Sequence, residues 1–137
     1  MAGYSGTPLV KKLGLKPGFR AAFINQPADY EEKLGELPEG IDVRRRLARG
    51  LDFIHFFTDR RRKLERTFPS LARNLAPSGM LWIFWPKAAS GVETDLNGSL
   101  VRKIGLGNGL VEIKVCAVDD VWSGLKFVVR AVIENDV

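Results

Sequence analysis

Two short stretches, Leu51–Phe57 (LDFIHFF) and Met80–Trp85 (MLWIFW), constrain this chain more than anything else in it. Each has the length of a β-strand and carries apolar side chains at odd and even positions alike. Side chains alternate between the two faces of a strand, so a run of this kind is stable only where both faces are covered. That is the place of a central strand in a parallel sheet between two helical layers. The segment joining the two runs suits such a layer: Leu64, Phe68, Leu71, Ala72 and Leu75 recur at helical spacing, with Thr58 or Asp59 placed to cap the start. Pro69 falls inside this pattern and predicts a kink or a two-piece helix, and Pro77-Ser78-Gly79 reads as the turn before the second run.

The rest of the chain fits around that unit. Thr7-Pro8 opens a short helix over about 8–14, stopped by Gly14. Phe19–Asn25 reads as a strand, and Tyr30, Leu34 and Leu37 give a helix from about Ala28 to Leu37. Ile41-Asp42-Val43 runs into arginines and suits a half-exposed edge strand. Thr94 or Asp95 opens a helix with Leu96, Leu100 and Ile104 on one face, closed by Gly105, Gly107 and Gly109. Leu110–Val118 and Leu125–Ile133 are two strands joined by Asp119–Gly124, a connector too short for a crossover helix, so they form an antiparallel hairpin. The expectation is one domain over residues 1–137: a three-layer α/β Rossmann-like sandwich, mostly parallel, with a C-terminal antiparallel hairpin.

Composition narrows the chemistry. One cysteine, Cys116, excludes an internal disulfide, and with His55 as the sole histidine a Cys/His zinc site is not available; no metal is expected. With no apolar run of membrane-spanning length, a reducing cytoplasm is the expected setting and a membrane is not an expected partner. His55 lies mid-strand and reads as a core imidazole bonded to a neighbour. The formal charge of +5 is concentrated between Arg44 and Arg66, a window that carries +6 by itself. Its two clusters, Arg44, Arg45, Arg46 and Arg60, Arg61, Arg62, read either as a nucleic-acid patch or, more simply, as a solvated strand edge and helix face.

Open α/β sheets bind ligands beyond the carboxyl ends of their strands. Those ends gather Asn25 and Gln26, Thr58 and Asp59, the loop Lys87–Ser90 with the helix start at Thr94 and Asp95, and Asp119–Ser123 with Trp122 among them. Lys87 beside free backbone N–H groups favours an anion, although the strict spacing of a phosphate loop is absent.

The apolar strand, the long helix, the step Leu75-Ala76-Pro77-Ser78-Gly79-Met80-Leu81-Trp82 and the closing hairpin resemble the second half of a Rossmann-like S-adenosylmethionine-dependent methyltransferase. That resemblance implies the sheet order 2-1-3-4-6-5. A nearer resemblance joins Pro8–Gly18, Trp82–Lys87, Ser90–Leu96 and Asp119–Phe127 to a family of short bacterial proteins classed only as a domain of unknown function; it implies a stand-alone bacterial cytoplasmic domain and no activity.

The methyltransferase pattern also puts a glycine-rich acidic turn after the first strand and an acid at the tip of the second. Here the residues are Asn25-Gln26-Pro27-Ala28-Asp29-Tyr30 and Arg44-Arg45-Arg46. These departures argue against S-adenosylmethionine, and no cofactor is expected. The sequence thus reads as a non-catalytic domain that binds a small anionic ligand or a protein partner at its Lys87 rim. The alternatives are a methyltransferase-derived enzyme with an altered cofactor site and a nucleic-acid-associated protein using the Arg44–Arg66 patch.

Overall fold

A computed structural model describes residues 8–130. Six strands form one sheet in the order β2-β1-β3-β4-β6-β5, from β1 (Arg20–Ile24), β2 (Asp42–Arg44), β3 (Leu51–Phe57), β4 (Leu75–Pro86), β5 (Leu110–Ala117) and β6 (Trp122–Val129). β2, β1, β3 and β4 run parallel, while β6 enters antiparallel between β4 and β5. β3 and β4 lie side by side and co-directional, with Ile54 opposite Leu81 and Phe56 opposite Ile83.

The alternation of apolar residues along these strands feeds two cores. One face carries Ile54, Phe56, Leu81, Ile83 and Trp85 against α3 (Arg61–Asn74) and α4 (Gly98–Gly107). The other carries Phe53, Phe57, Trp82 and Phe84 against α1 (Leu9–Leu13) and α2 (Tyr30–Leu34). Trp82 and Trp85 therefore anchor opposite layers, and the Trp82 indole N–H donates to the Leu13 carbonyl at 2.8 Å, pinning α1. No helix among the described residues is long and apolar enough to cross a membrane.

Several boundaries differ from the sequence reading for identifiable reasons. α2 stops at Leu34 because Gly35 turns away at φ +84°, so Leu37 packs from a loop. α3 is one continuous helix with Pro69 inside it. Neither Thr58 nor Asp59 caps α3 through its side chain; the Arg61 N–H is instead taken by Asp95, 34 residues away, at 2.7 Å. Pro77-Ser78-Gly79 is not a turn outside the sheet but an irregularity within β4, whose pairing jumps from Leu75 to Met80 while β3 advances from Leu51 to Phe53. Asn97, rather than Thr94 or Asp95, caps α4 by accepting the Leu100 N–H at 2.9 Å. β6 begins at Trp122, three residues before the expected strand, and the 131–133 end of that expected strand lies outside the described residues.

Gly105 was read as a helix stop, but it lies inside α4 where the helix presses on β6. A Cβ there would meet the Phe127 ring at 2.2 Å. Gly105→Ala is therefore expected to destabilise the fold by about 1–3 kcal/mol despite the better helix propensity of alanine. Urea denaturation measures this; an unchanged or raised midpoint would mean that α4 can shift off the sheet freely.

Candidate functional site at the carboxyl edge of the sheet

The parallel strands deliver their last residues to one edge. β1 ends at Ile24, and Asn25 follows at φ +59°, the one non-glycine residue in the left-handed region among those described. Asparagine tolerates this conformation better than other side-chain-bearing residues. Gln26 comes next, and its Oε1 is buried without a hydrogen-bond partner among the described residues. A buried acceptor left unpaired costs about 1–3 kcal/mol, so such atoms call for an explanation.

β3 ends at Phe57 and passes to buried Thr58, whose N–H donates to the Phe84 carbonyl at 3.0 Å. β4 ends at Pro86, and the Lys87 N–H reaches the Val121 carbonyl at 2.7 Å. Trp122 stands opposite Pro86 and Ser123 opposite Trp85, while the Trp122 ring meets Phe57 edge-on with centroids 5.1 Å apart.

One ion pair ties the layers together across this edge. Lys33 of α2 bonds Asp119 in the β5–β6 connection, and Asp29 lies 3.1 Å from the same ammonium. Asp119 also accepts the Val121 and Trp122 N–H groups, each at 2.8 Å. Burial acts to raise the Asp119 carboxyl, but the Lys33 bond and the two backbone donors outweigh it and hold the group below the ordinary carboxylate range. The Lys33 ammonium is correspondingly raised, chiefly by its bond to Asp119.

Beneath the edge, Tyr30 Oη and His55 Nδ1 share a hydrogen bond of 2.5 Å inside a shell of Phe23, Phe53, Phe57 and Phe84 rings. His55 is fully buried and its Nε2 has no partner among the described residues. Burial drives the imidazole well below its usual value and the phenol well above its own, so both are neutral. This is the bonded core histidine expected from its mid-strand position.

The structure gathers some of the anticipated site residues and employs others internally. Lys87 and Trp122 meet at one tip, and the Lys87 ammonium has no partner among the described residues. Asn25 lies two strands across from Lys87 and, by register, level with Phe84, three residues short of it. Ser90 Oγ donates to the Lys87 carbonyl at 2.7 Å and accepts the Val92 N–H, closing a short 3-10 turn over Ala88–Ser90. Thr94 Oγ1 donates to the Asp59 carbonyl at 2.7 Å and accepts the Leu96 N–H; with Asp95 on Arg61, it straps this loop to the start of α3.

The basic clusters separate. Arg44 pairs with Asp42 at 3.1 Å and Arg45 with Glu31 of α2 at 2.9 Å, whereas Arg60 and Arg61 pair with Glu93 and Glu65 on the α3 layer. Arg46 is exposed beyond β2, and Arg62 is exposed in the first turn of α3. Sequence reasoning placed Gln26 at the strand end but missed its orphaned acceptor, and it missed the Lys33–Asp119 tie. Asn-Gln-Pro directly after a strand was the available signal for the first; the second joins residues 86 apart and left none.

Solved structures share this arrangement. An S-adenosylmethionine-dependent methyltransferase from Aquifex aeolicus superposes with a TM-score of 0.56 at 16% identity, covering 86% of each chain. Magnesium protoporphyrin IX methyltransferase from Synechocystis with bound S-adenosylhomocysteine gives 0.56 at 12% identity, over 88% of this chain and 78% of that one. Its form with bound S-adenosylmethionine gives 0.56 at 10% identity, over 88% and 74%. The fold is the Rossmann-like fold of these methyltransferases. No family model and no curated protein sequence matches the chain.

The expectation that S-adenosylmethionine would be excluded is overturned by these neighbours, one of which holds it and its demethylated product on the same fold. The reason lies in the β1 turn. A missing glycine does not remove the conformation glycine permits, because Asn25 adopts it. Beside it the orphaned Gln26 acceptor fits a donor that the protein does not supply, such as an amino group of that cofactor. At β2 the fit is different: Arg44 and Arg45 occupy the tip, neutralised by Asp42 and Glu31.

The buried imidazole has a pH signature. Unfolded, His55 takes a proton near pH 6.5; folded, it resists protonation until far lower pH. Stability is complete above about pH 6.5 and falls as pH drops through the window down to the folded value, by up to about 1.4 kcal/mol per pH unit. Urea melts between pH 7 and pH 5 should show this slope, and His55→Phe should flatten it. An equal slope in that variant would assign the acid sensitivity to other groups.

Proposed function

We propose that this chain is a methyltransferase-type domain that holds an S-adenosyl cofactor at the β1–β3 edge and receives an anionic acceptor at the adjoining Lys87–Trp122 tip. The observation carrying this reading is the pairing of left-handed Asn25 with the buried, unpartnered Oε1 of Gln26 directly after the first strand. It is supported by the strand order and by the cofactor-bound neighbours of the same fold. When bound, S-adenosylmethionine supplies a methyl group activated by its sulfonium charge.

The chain's own residues divide the remaining work. Asn25 shapes the turn and lets the backbone come close to a ligand. Gln26 accepts a hydrogen bond from it. Lys87 presents an uncompensated positive charge, and Trp122, braced on Phe57, offers an apolar wall beside that charge. Ser90, Thr94 and Asp95 act as positioning residues, since their polar atoms hold the Lys87 loop against α3. The nearer resemblance to a bacterial family of unknown function is compatible with this reading and adds no chemistry to it.

Titration calorimetry with S-adenosylhomocysteine tests the reading. Saturable heat is expected, with Gln26→Ala weakening affinity about tenfold through the lost hydrogen bond. Lys87→Ala should leave that affinity intact while weakening any anionic acceptor. No heat at millimolar S-adenosylhomocysteine would remove the cofactor site.

A further inference from the structure

A second cluster of uncompensated positive charge lies outside the carboxyl edge, on the α1 face. β5 carries an irregularity at Ile113: Glu112 pairs with Phe127, but the next pair is Lys114 with Lys126. Phe127 belongs to the core beneath α3 and α4, so Glu112 stands on that layer, where it bonds Arg102 of α4. Strict alternation would place Lys114 beside it. The extra residue instead swings Lys114 to the opposite face, directly across from Lys126.

There Lys114 Nζ donates to the Lys12 carbonyl at the end of α1, at 2.8 Å. Lys126 Nζ rests against Gly14, 3.2 Å from where a Cβ would stand, and has no hydrogen-bond or ion-pair partner among the described residues. Lys16 follows two residues after Gly14.

Like charges directly opposite on paired strands destabilise a sheet. Lys114 is exposed but Lys126 is partly withdrawn from water: burial first, then the charges of Lys114 and Lys16, lower its ammonium. Neither nearby acid of the hairpin compensates it, because Glu112 is held by Arg102 on the other layer and Asp119 by Lys33 at the carboxyl edge. A β-bulge that turns a lysine away from a carboxylate and towards a second lysine is a costly arrangement for structure alone, and a ligand of opposite charge would offset it.

We propose that Lys16, Lys114 and Lys126 form a binding site for a phosphate-class oxyanion. Lysine ammonium groups act as point charges for such groups, without the planar fork that arginine brings to carboxylates. The site is separate from the proposed cofactor edge: Lys126 lies four residues down β6 from Trp122, about 13 Å. It stands whether or not that edge binds a cofactor.

Calorimetric titration with inorganic diphosphate, at ionic strength held constant with sodium chloride, tests the site. Saturable binding is expected, weakened about tenfold or more by Lys126→Met and by Lys114→Met, and unaffected by Arg73→Gln on the α3 layer. Without the anion, Lys126→Met should melt at or above the wild-type temperature, since it relieves the repulsion. A single-stranded oligonucleotide that displaces diphosphate would identify a phosphodiester as the source of the oxyanion; failure to displace it would identify a free phosphate compound. Absence of saturable heat at millimolar diphosphate would overturn the proposal. So would an affinity unchanged in Lys126→Met, or one reduced equally by Arg73→Gln.

Discussion

Everything in this molecule follows from two neighbouring strands that cannot tolerate water on either face. β3 and β4 place Phe53, Phe57, Trp82 and Phe84 towards one layer and Ile54, Phe56, Leu81 and Ile83 towards the other. A chain of this size must therefore spend its helices on both sides of a single sheet. The layers are unequal: α3 and α4 cover one face with 14 and 10 residues, whereas α1 and α2 contribute five each. On the thinner side the shortfall is made up by aromatic bulk, with Tyr30, Trp82, Phe84 and His55 in ring-to-ring contact, and by single tethers such as Trp82 to Leu13 and Lys33 to Asp119.

That asymmetry shapes the carboxyl edge. On the thick side, the loop after β4 is fastened to the start of α3 by Thr94 and Asp95, so the Lys87 tip is presented by a rigid support. On the thin side, α2 is one short turn and a half, held by buried Tyr30 and Leu34 and tied across the edge by Lys33 meeting Asp119. The left-handed Asn25 and the unpaired Gln26 acceptor lie between these supports, in the part of the edge where backbone conformation rather than side-chain bulk governs what can approach.

The architecture was legible because its signals are cooperative. A seven-residue run, apolar on both faces, a helical repeat and a second apolar run all require the same layered answer, and the implied order 2-1-3-4-6-5 is the order found. Features set by one residue's contacts were less legible. Asp95 looked like a cap for the helix that follows it, yet its acceptor serves a helix that precedes it. Gly105 looked like punctuation, yet its role is to admit the Phe127 ring. The glycine-free β1 turn looked disqualifying because residue type was read for conformation, whereas asparagine reaches the same backbone region. The lysine pair was invisible for a related reason: an irregularity at Ile113 reverses the face of every later residue in β5, and net charge summed along the chain carries no record of faces.

The placement of β6 bears on how the molecule is made. It lies between β4 and β5, yet it is the last strand among the described residues. As the nascent chain leaves the ribosome, β4 has a row of backbone N–H and C=O groups unpaired along Leu81–Pro86 until Trp122–Val129 has also emerged. At elongation rates of about 5–20 residues per second this interval lasts some seconds. During that time the unpaired margin of a half-built sheet is available to any strand that arrives first, including one from another nascent copy. Correct assembly is therefore a race that the hairpin must win, and its short connector, which keeps β6 close behind β5, shortens the contest.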